Sequence, residues 1–268
     1  MRRGKEKGPT SVVLAGVHGN EVCGIEAFER LLPSLRIASG TVFFVIGNPR
    51  AIRDNVRYTE ANLNRMFKNS GELSSAEKRS YEYRQAQFIK KYLVQAGALL
   101  DVHASRTRRS RRFVISEPSA EGIATFLPFD LVVSGLDRVQ AGGTDYYMNK
   151  KGKIGICVEC GYLGDPRSTG IAEKSIVSFL AARGHTRGVL RPKKQEHVRM
   201  ERMYVAAHDN FTLSKRFSDF ERVARGQVIG SDGGKSIRAE KDGIILFAGS
   251  RQKAGEEAFL LGVRKKTA

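Results

Sequence analysis

The chain has 268 residues, of which 41% are hydrophobic, and it carries three cysteines and a net charge of +18. This length allows one large domain, or a main domain with a smaller partner, around a substantial core. Three cysteines are too few for a disulfide framework, and no apolar run approaches the roughly 20 residues that span a bilayer. The apolar run after the basic N-terminus is too short for the central region of a signal peptide, so we expect a cytoplasmic protein.

Helices and strands are predicted to alternate from residue 11 to residue 183. Apolar residues at helical spacing predict helices near residues 22–35, 74–96 and 170–183. Short runs of apolar, often β-branched residues predict strands that are covered on both faces. These strands are residues 11–16, 41–48, 98–103, 112–116, 129–134 and 154–160. The alternation predicts an α/β fold with a mixed, mostly parallel sheet and helices on both faces.

After residue 193 the pattern changes to short strand-like pieces separated by Gly, Asp and Lys. This pattern predicts a small all-β domain, so we expect domains at residues 1–193 and 194–268. Its expected role is open between a lid, an oligomer contact and a wall of the pocket. Cys157 and Cys160 have Cys-x-x-Cys spacing, but they lie inside the last predicted strand of the first domain. We expect them to pack there and not to serve redox or metal chemistry.

Histidine and carboxylate side chains cluster where predicted strands end. His18 and Glu21 directly follow the first strand, His103 ends the third, and Glu159 lies near the end of the last. Because the carboxyl ends of parallel strands meet at one edge of a sheet, these residues are expected to lie together. Two histidines and one carboxylate are a common catalytic zinc set, with Glu159 available as a base. Asp101 either orients the His103 imidazole or caps the strand end.

Residues 47–67 carry a dense set of hydrogen-bond donors, namely Arg50, Arg57, Asn62, Asn64 and Arg65. Arginine forks suit carboxylate recognition and the polarisation of a carbonyl group. These residues are therefore candidates for substrate binding, although a solvated basic loop would have the same composition.

Five short motifs resemble one known enzyme family. They are GVHGNE (16–21), NPRA (48–51), RYTEANLNR (57–65), DVHAS (101–105) and VECG (158–161). Their order and approximate spacing are similar to those of the succinylglutamate desuccinylase/aspartoacylase family, which has a zinc carboxypeptidase-like fold. The resemblance covers residues 11–165 at the level of motifs, and the C-terminal segment also looks like that family's C-terminal domain.

The resemblance implies a role for each matched residue. Glu159 would be the general base that activates the attacking water and then the acid that protonates the leaving amine. Arg57 would polarise the scissile carbonyl, and Asn64 and Arg65 would grip a substrate carboxylate, with Arg50 as a further candidate. One zinc ion (Zn²⁺) per chain would be held by His18, Glu21 and His103.

The leading hypothesis is a zinc-dependent amidohydrolase, a deacylase that cleaves an N-acyl amino acid or a related acidic amide. Such chemistry needs an activated water, a proton shuttle and positive charge at the developing oxyanion. A zinc carboxypeptidase acting on peptide termini would use the same layout. The net charge of +18 keeps a third class open, a basic protein that binds polyanions or nucleic acid, but no aromatic residues interleave the basic run. A homo-oligomer is possible under each reading.

The sequence departs from the family pattern at three places. Asn62 stands where family members often have Asp, and we expect it to brace the loop without binding metal. Lys150 and Lys151 lie near the position of a further substrate-binding arginine, but a lysine does not reproduce a bidentate contact. Five arginines also fall between Arg106 and Arg112. We hypothesise that this run lies at the pocket rim and favours a polyanionic or multiply carboxylated substrate, the alternative being a solvated loop.

Overall fold

The computed structural model describes residues 1–265. The three predicted helical regions are helical, although residues 74–96 form two helices separated at Ser80, whose extended backbone ends the first while its hydroxyl caps the second. Over the described residues the α-helices are α1 (Cys23–Leu31), α2 (Pro49–Arg53), α3 (Ser75–Arg79), α4 (Tyr81–Leu93), α5 (Glu121–Ala124), α6 (Leu136–Val139), α7 (Thr144–Asn149) and α8 (Ser168–Ala182).

The six predicted strands are strands in the structure, and eight more accompany them. They are β1 (Arg2–Arg3), β2 (Glu6–Ala15), β3 (Ser39–Ile46), β4 (Ala98–Ser105), β5 (Phe113–Ser116), β6 (Leu131–Ser134), β7 (Ile154–Tyr162), β8 (Glu196–Val205), β9 (Thr212–Leu213), β10 (Glu221–Val223), β11 (Val228–Asp232), β12 (Lys235–Arg238), β13 (Gly243–Leu246) and β14 (Glu257–Arg264).

The main sheet has the strand order β1-β3-β2-β4-β7-β5-β6-β8-β14-β13-β10. Strands β3, β2, β4 and β7 are mutually parallel, and β5 enters antiparallel to β7. The predicted mixed, mostly parallel sheet is therefore confirmed. Val13 and Ala15 pack in the core towards α1 and α8, while Val12 and Leu14 pack in the core towards α4. This alternation buries both faces of β2 and explains its unbroken apolar sequence.

The segment after residue 193 is rich in β-structure, with a continuous connection to the main sheet. β8 pairs parallel with β6 and antiparallel with β14, so hydrogen bonding runs across the expected domain boundary. β9, β11 and β12 form a separate three-stranded antiparallel sheet. The domain boundary at residue 193 stays a prediction, whereas the β-strand content of the segment after it is observed. No helix among residues 1–265 is long and apolar enough to cross a bilayer.

Candidate active site

The topology brings the predicted site residues to one edge of the sheet. β4 lies between β2 and β7, and His103 on β4 is the direct register partner of Glu159 on β7. β2 ends at Ala15, and the chain then turns through a short loop that carries His18 and Glu21 before α1. The four side chains line a single cavity of about 670 Å³.

Two glycines allow the loop after β2 to fold in this way. Gly16 has a φ of +68°, a left-handed conformation that disfavours side chains. A Cβ atom on Gly19 would lie 2.0 Å from the backbone carbon of Ala51, because the loop packs directly on α2. The backbone N–H of Gly19 donates to the carbonyl of Arg57 at 3.2 Å. These contacts join the loop of His18 to the loop of Arg57.

His18, Glu21 and His103 form a compact, buried donor set. The Nδ1 atom of His18 lies 2.8 Å from one Glu21 oxygen, and the Nδ1 atom of His103 lies 2.8 Å from the other. All three residues are at most 3% exposed. The three donor atoms, one from each residue, lie within 4.8 Å of one another, a spacing that is compatible with a tetrahedral metal ion.

Each histidine is oriented through its second ring nitrogen. His18 Nε2 lies 3.1 Å from the side-chain oxygen of Asn62, which can only accept, so Nε2 donates. His103 Nε2 lies 3.1 Å from Oδ2 of Asp101, an ion-pair contact, and the same oxygen accepts a hydrogen bond from the Thr144 hydroxyl. Asn62 and Asp101 therefore leave both Nδ1 atoms turned towards Glu21. This is the arrangement that outer carboxylates and amides give to metal-binding histidines.

The charge states of His18 and Glu21 support metal binding. Burial lowers the pKa of His18 to about 4, so its imidazole is neutral at pH 7. Its Nδ1 lone pair then faces a carboxylate oxygen without a hydrogen bond, and a cation between the two would satisfy both. Burial raises the pKa of Glu21, but the charges and hydrogen bonds of His18 and His103 outweigh it and hold that pKa well below its usual value.

A second donor set shares His103 with Asp101 and Cys157. Burial, followed by the charge of Asp145, raises the pKa of the Cys157 thiol well above its usual value. Since thiolate and not thiol binds metal, this set is the weaker candidate. Cys157 and Cys160 are buried in β7, within the strand that the sequence predicts for them.

Glu159 lies beside the donor set in a buried position. It is 8% exposed, and its Oε2 atom has no hydrogen-bond partner among the described residues. Burial, together with the charge of Glu21, raises the pKa of Glu159 to about 8. A carboxyl group whose pKa lies near neutral pH can both accept and donate a proton.

The three candidate arginines of residues 47–67 lie in three different environments. Arg57 lines the cavity and donates to Glu21 at 2.9 Å. Arg65 also lines the cavity, but both arms of its guanidinium bind Glu257, at 2.5 and 2.6 Å. Arg50 lies outside the cavity lining, where it stacks over the Tyr81 ring and contacts an exposed glutamate. The structure therefore gives no support to Arg50 as a substrate-binding residue.

Only the first residue of the basic run faces the cavity. Arg106 is part of the cavity lining, whereas Arg108 and Arg109 are exposed beyond it. Arg111 and Arg112 lie near carboxylates of other segments, each at 3.4 Å. The structure therefore supports the rim hypothesis for Arg106 and not for the rest of the run.

A profile of the succinylglutamate desuccinylase/aspartoacylase catalytic domain matches residues 7–182. The chain belongs to this family. Succinylglutamate desuccinylase of Vibrio cholerae is 24% identical over an alignment of 285 residues, which covers 96% of this chain and 81% of that protein. The Pseudomonas aeruginosa desuccinylase is 42% identical over 69 residues, 24% of this chain and 20% of that protein.

Solved structures share the fold of this family member. A crystal structure of the Vibrio cholerae desuccinylase has a TM-score of 0.79 at 20% identity and covers 96% of this chain and 82% of that chain. A product-bound structure of the ectoine utilization protein EutE (DoeB) from Ruegeria pomeroyi has a TM-score of 0.71 at 20% identity and covers 97% and 87%. The predicted family and fold class are both confirmed.

Residues of the C-terminal segment of this family member line the cavity, as one of the three roles left open for it requires. Several cavity residues carried no signal in the sequence. Asp137 has a pKa raised to about 7 by burial and by the nearby charges of Asp145 and Glu117. The residues that the sequence did not single out include Asp137, Gln140, Asp145, Arg216, Arg251 and Glu257.

Glu82 on α4 fixes the loop that carries the family's RYTEANLNR motif. It is fully buried, and its carboxylate accepts hydrogen bonds from the backbone N–H groups of Thr59, Glu60 and Ala61 at 2.8 to 3.2 Å. The Thr59 hydroxyl and the Asn48 amide donate to it as well. Burial raises the pKa of Glu82, but these hydrogen bonds outweigh it, so the pKa lies below its usual value.

We expect Glu82→Gln to lower the free energy of unfolding by about 3 kcal/mol at pH 7, because an amide N–H₂ replaces an oxygen that accepts from backbone donors. Since the folded pKa of Glu82 is depressed, its stabilisation is present above the unfolded pKa and is lost as pH falls through the folded pKa. Urea unfolding of the variant, with the exposed Glu29→Gln as control, measures this. Equal stability of both variants at pH 7 would contradict it.

Proposed function

We propose that this protein is a zinc-dependent amidohydrolase, a deacylase that removes the acyl group of an N-acyl amino acid or a related acidic amide. The observation that carries the proposal is the convergence of His18 Nδ1, His103 Nδ1 and Glu21 beside a buried carboxyl group, Glu159, in one cavity. Membership of a deacylase family and the 24% identity with a succinylglutamate desuccinylase over nearly the whole chain support it.

In this proposal His18, Glu21 and His103 would hold the zinc ion. A bound zinc ion would supply an acidified water and an electrophile for the carbonyl oxygen. The Glu159 carboxylate accepts a proton from the attacking water and delivers it to the nitrogen of the leaving amine. Arg57, which lies at the edge of the donor set, donates to the oxygen that becomes negatively charged. Asn62 and Asp101 keep the two imidazoles in the required tautomer.

A substrate screen tests the proposal. The zinc-replete protein is incubated with N-acetyl and N-succinyl amino acids and with short peptides, and the release of free amine is measured. Release from N-acyl amino acids supports a deacylase. Release from peptides alone would favour a carboxypeptidase. No turnover, together with tight and salt-dependent binding of nucleic acid that survives removal of zinc, would overturn the proposal in favour of a polyanion-binding protein.

A further inference from the structure

Five arginines line the cavity, namely Arg57, Arg65, Arg106, Arg216 and Arg251, and two of them are paired with carboxylates. Arg57 donates to Glu21 at 2.9 Å. Arg65 makes a bidentate contact with Glu257, which also accepts from the Gln140 amide at 2.7 Å. Because both arms of the Arg65 fork are occupied by the protein's own carboxylate, this residue offers little to a substrate anion.

Of the other three arginines, Arg106 and Arg251 have no carboxylate within ion-pair distance among residues 1–265. Arg251 is held by two backbone carbonyls, since its Nε donates to the carbonyl of Glu257 at 2.5 Å and its Nη1 donates to that of Ser250 at 2.9 Å. Partial burial and then the charge of Arg251 lower the pKa of Arg106, while the more distant charges of Glu21 and Glu256 oppose this shift. Arg106 remains exposed and accessible to a ligand.

A single buried carboxylate fixes the two segments that carry these arginines. Asp219 accepts hydrogen bonds from the hydroxyls of Ser105 and Ser110, at 3.0 and 2.6 Å, on either side of Arg106. Its other oxygen accepts from the Thr107 hydroxyl at 3.1 Å and from the backbone N–H of Phe247 at 2.9 Å. Phe247 begins the connection from β13 to β14 in which Arg251 lies. Both segments are thus positioned before any ligand binds.

Two cations that have no ion-pair partner repel each other, and a carboxylate placed between them reduces that repulsion and gains charge-assisted hydrogen bonds. We infer that Arg106 and Arg251 form an anion-binding subsite that takes a carboxylate of the substrate away from the scissile amide, in place of Arg65. Glu257 contributes to this specificity because it occupies Arg65. The assignment of the ligand as part of the substrate rests on the proposed function, whereas the anion-binding subsite itself does not.

The test uses isothermal titration calorimetry of the zinc-replete full chain with succinate and with propionate, which has one carboxylate fewer. The wild-type protein is expected to bind succinate more tightly than propionate. Arg106→Gln and Arg251→Gln should each weaken succinate binding about tenfold or more and reduce the difference between the two ligands. Arg108→Gln, in the same loop but outside the cavity, should bind both as the wild-type protein does.

Unchanged succinate affinity in Arg106→Gln and Arg251→Gln would overturn the inference, and so would a loss confined to Arg65→Gln. If Arg251→Gln does not fold, Arg251→Lys keeps the charge at that position. Arg106→Gln removes no hydrogen bond or ion pair made within residues 1–265. The two proposals fail differently. Absence of amide turnover with succinate binding that depends on Arg106 and Arg251 would contradict only the hydrolase. Normal turnover with binding indifferent to both arginines would contradict only the subsite.

Discussion

Glu159→Gln is expected to reduce kcat for amide hydrolysis by about a thousandfold, the usual effect of losing a general acid–base group. Glutamine has the same shape but cannot take a proton from the attacking water. The stability should not fall, because the Oε2 atom of Glu159 has no hydrogen-bond partner to lose among the described residues, and burial already raises its pKa to about 8. Zinc content should also stay unchanged.

Single-turnover kinetics and thermal unfolding of the variant check this result. Asp137→Asn is the matched control, because Asp137 lines the same cavity, and burial with neighbouring carboxylates raises its pKa to about 7, but it does not contact the donor set. We expect the control to change kcat by less than about fivefold. If Asp137→Asn lost most of its kcat while Glu159→Gln stayed active, our assignment of the proton transfer to Glu159 would be wrong.

His103→Ala is expected to abolish both zinc binding and activity. The purified wild-type protein should contain about one zinc ion per chain, and the variant less than about a tenth of that, because a catalytic zinc site has only three protein ligands. His197→Ala removes an imidazole from β8, outside the cavity lining, and should leave the zinc content unchanged. Metal analysis of protein prepared with excess zinc measures both.

Two further variants separate the alternative donor sets. Cys157→Ser should retain zinc if His18 and Glu21 complete the site, and loss of zinc would point to the set of Asp101, His103 and Cys157. Asp101→Asn should weaken zinc binding about tenfold to a hundredfold, because Asp101 orients His103. Burial lowers the pKa of His103, but Asp101 outweighs it and raises that pKa well above its usual value. Zinc binding must therefore release a proton, and the affinity should fall as pH decreases.

Much of the site's location could be predicted because it depends on local signals. Unbroken apolar runs identify strands covered on both faces, and a polar residue near or just after the carboxyl end of such a strand lies at the sheet edge. His18, His103 and Glu159 satisfy this rule, and the structure brings them together around Glu21. The continuous sheet across residue 193 was not predictable, because the pairing of β8 with β6 and β14 depends on segments that are distant in sequence.

Hydrogen-bond partners also changed the expected importance of single residues. Asn62, expected only to brace its loop, contacts His18 and fixes which ring nitrogen faces Glu21. Arg50, expected among substrate-binding residues because of its neighbours in sequence, turns to Tyr81 outside the cavity. Local composition indicates that arginines are present but not which way each side chain points.

By itself the sequence determined the family, the mixed sheet and the residues at its functional edge, because periodicity and the ends of strands act over short stretches of chain. Only the tertiary structure decided which cations remain free. Arg65 is bound by Glu257, a residue 192 positions further along the chain, while Arg106 and Arg251 come from different segments and face the same cavity without carboxylate partners among the described residues. Charge pairing depends on distance in space, and residue order alone does not specify that distance.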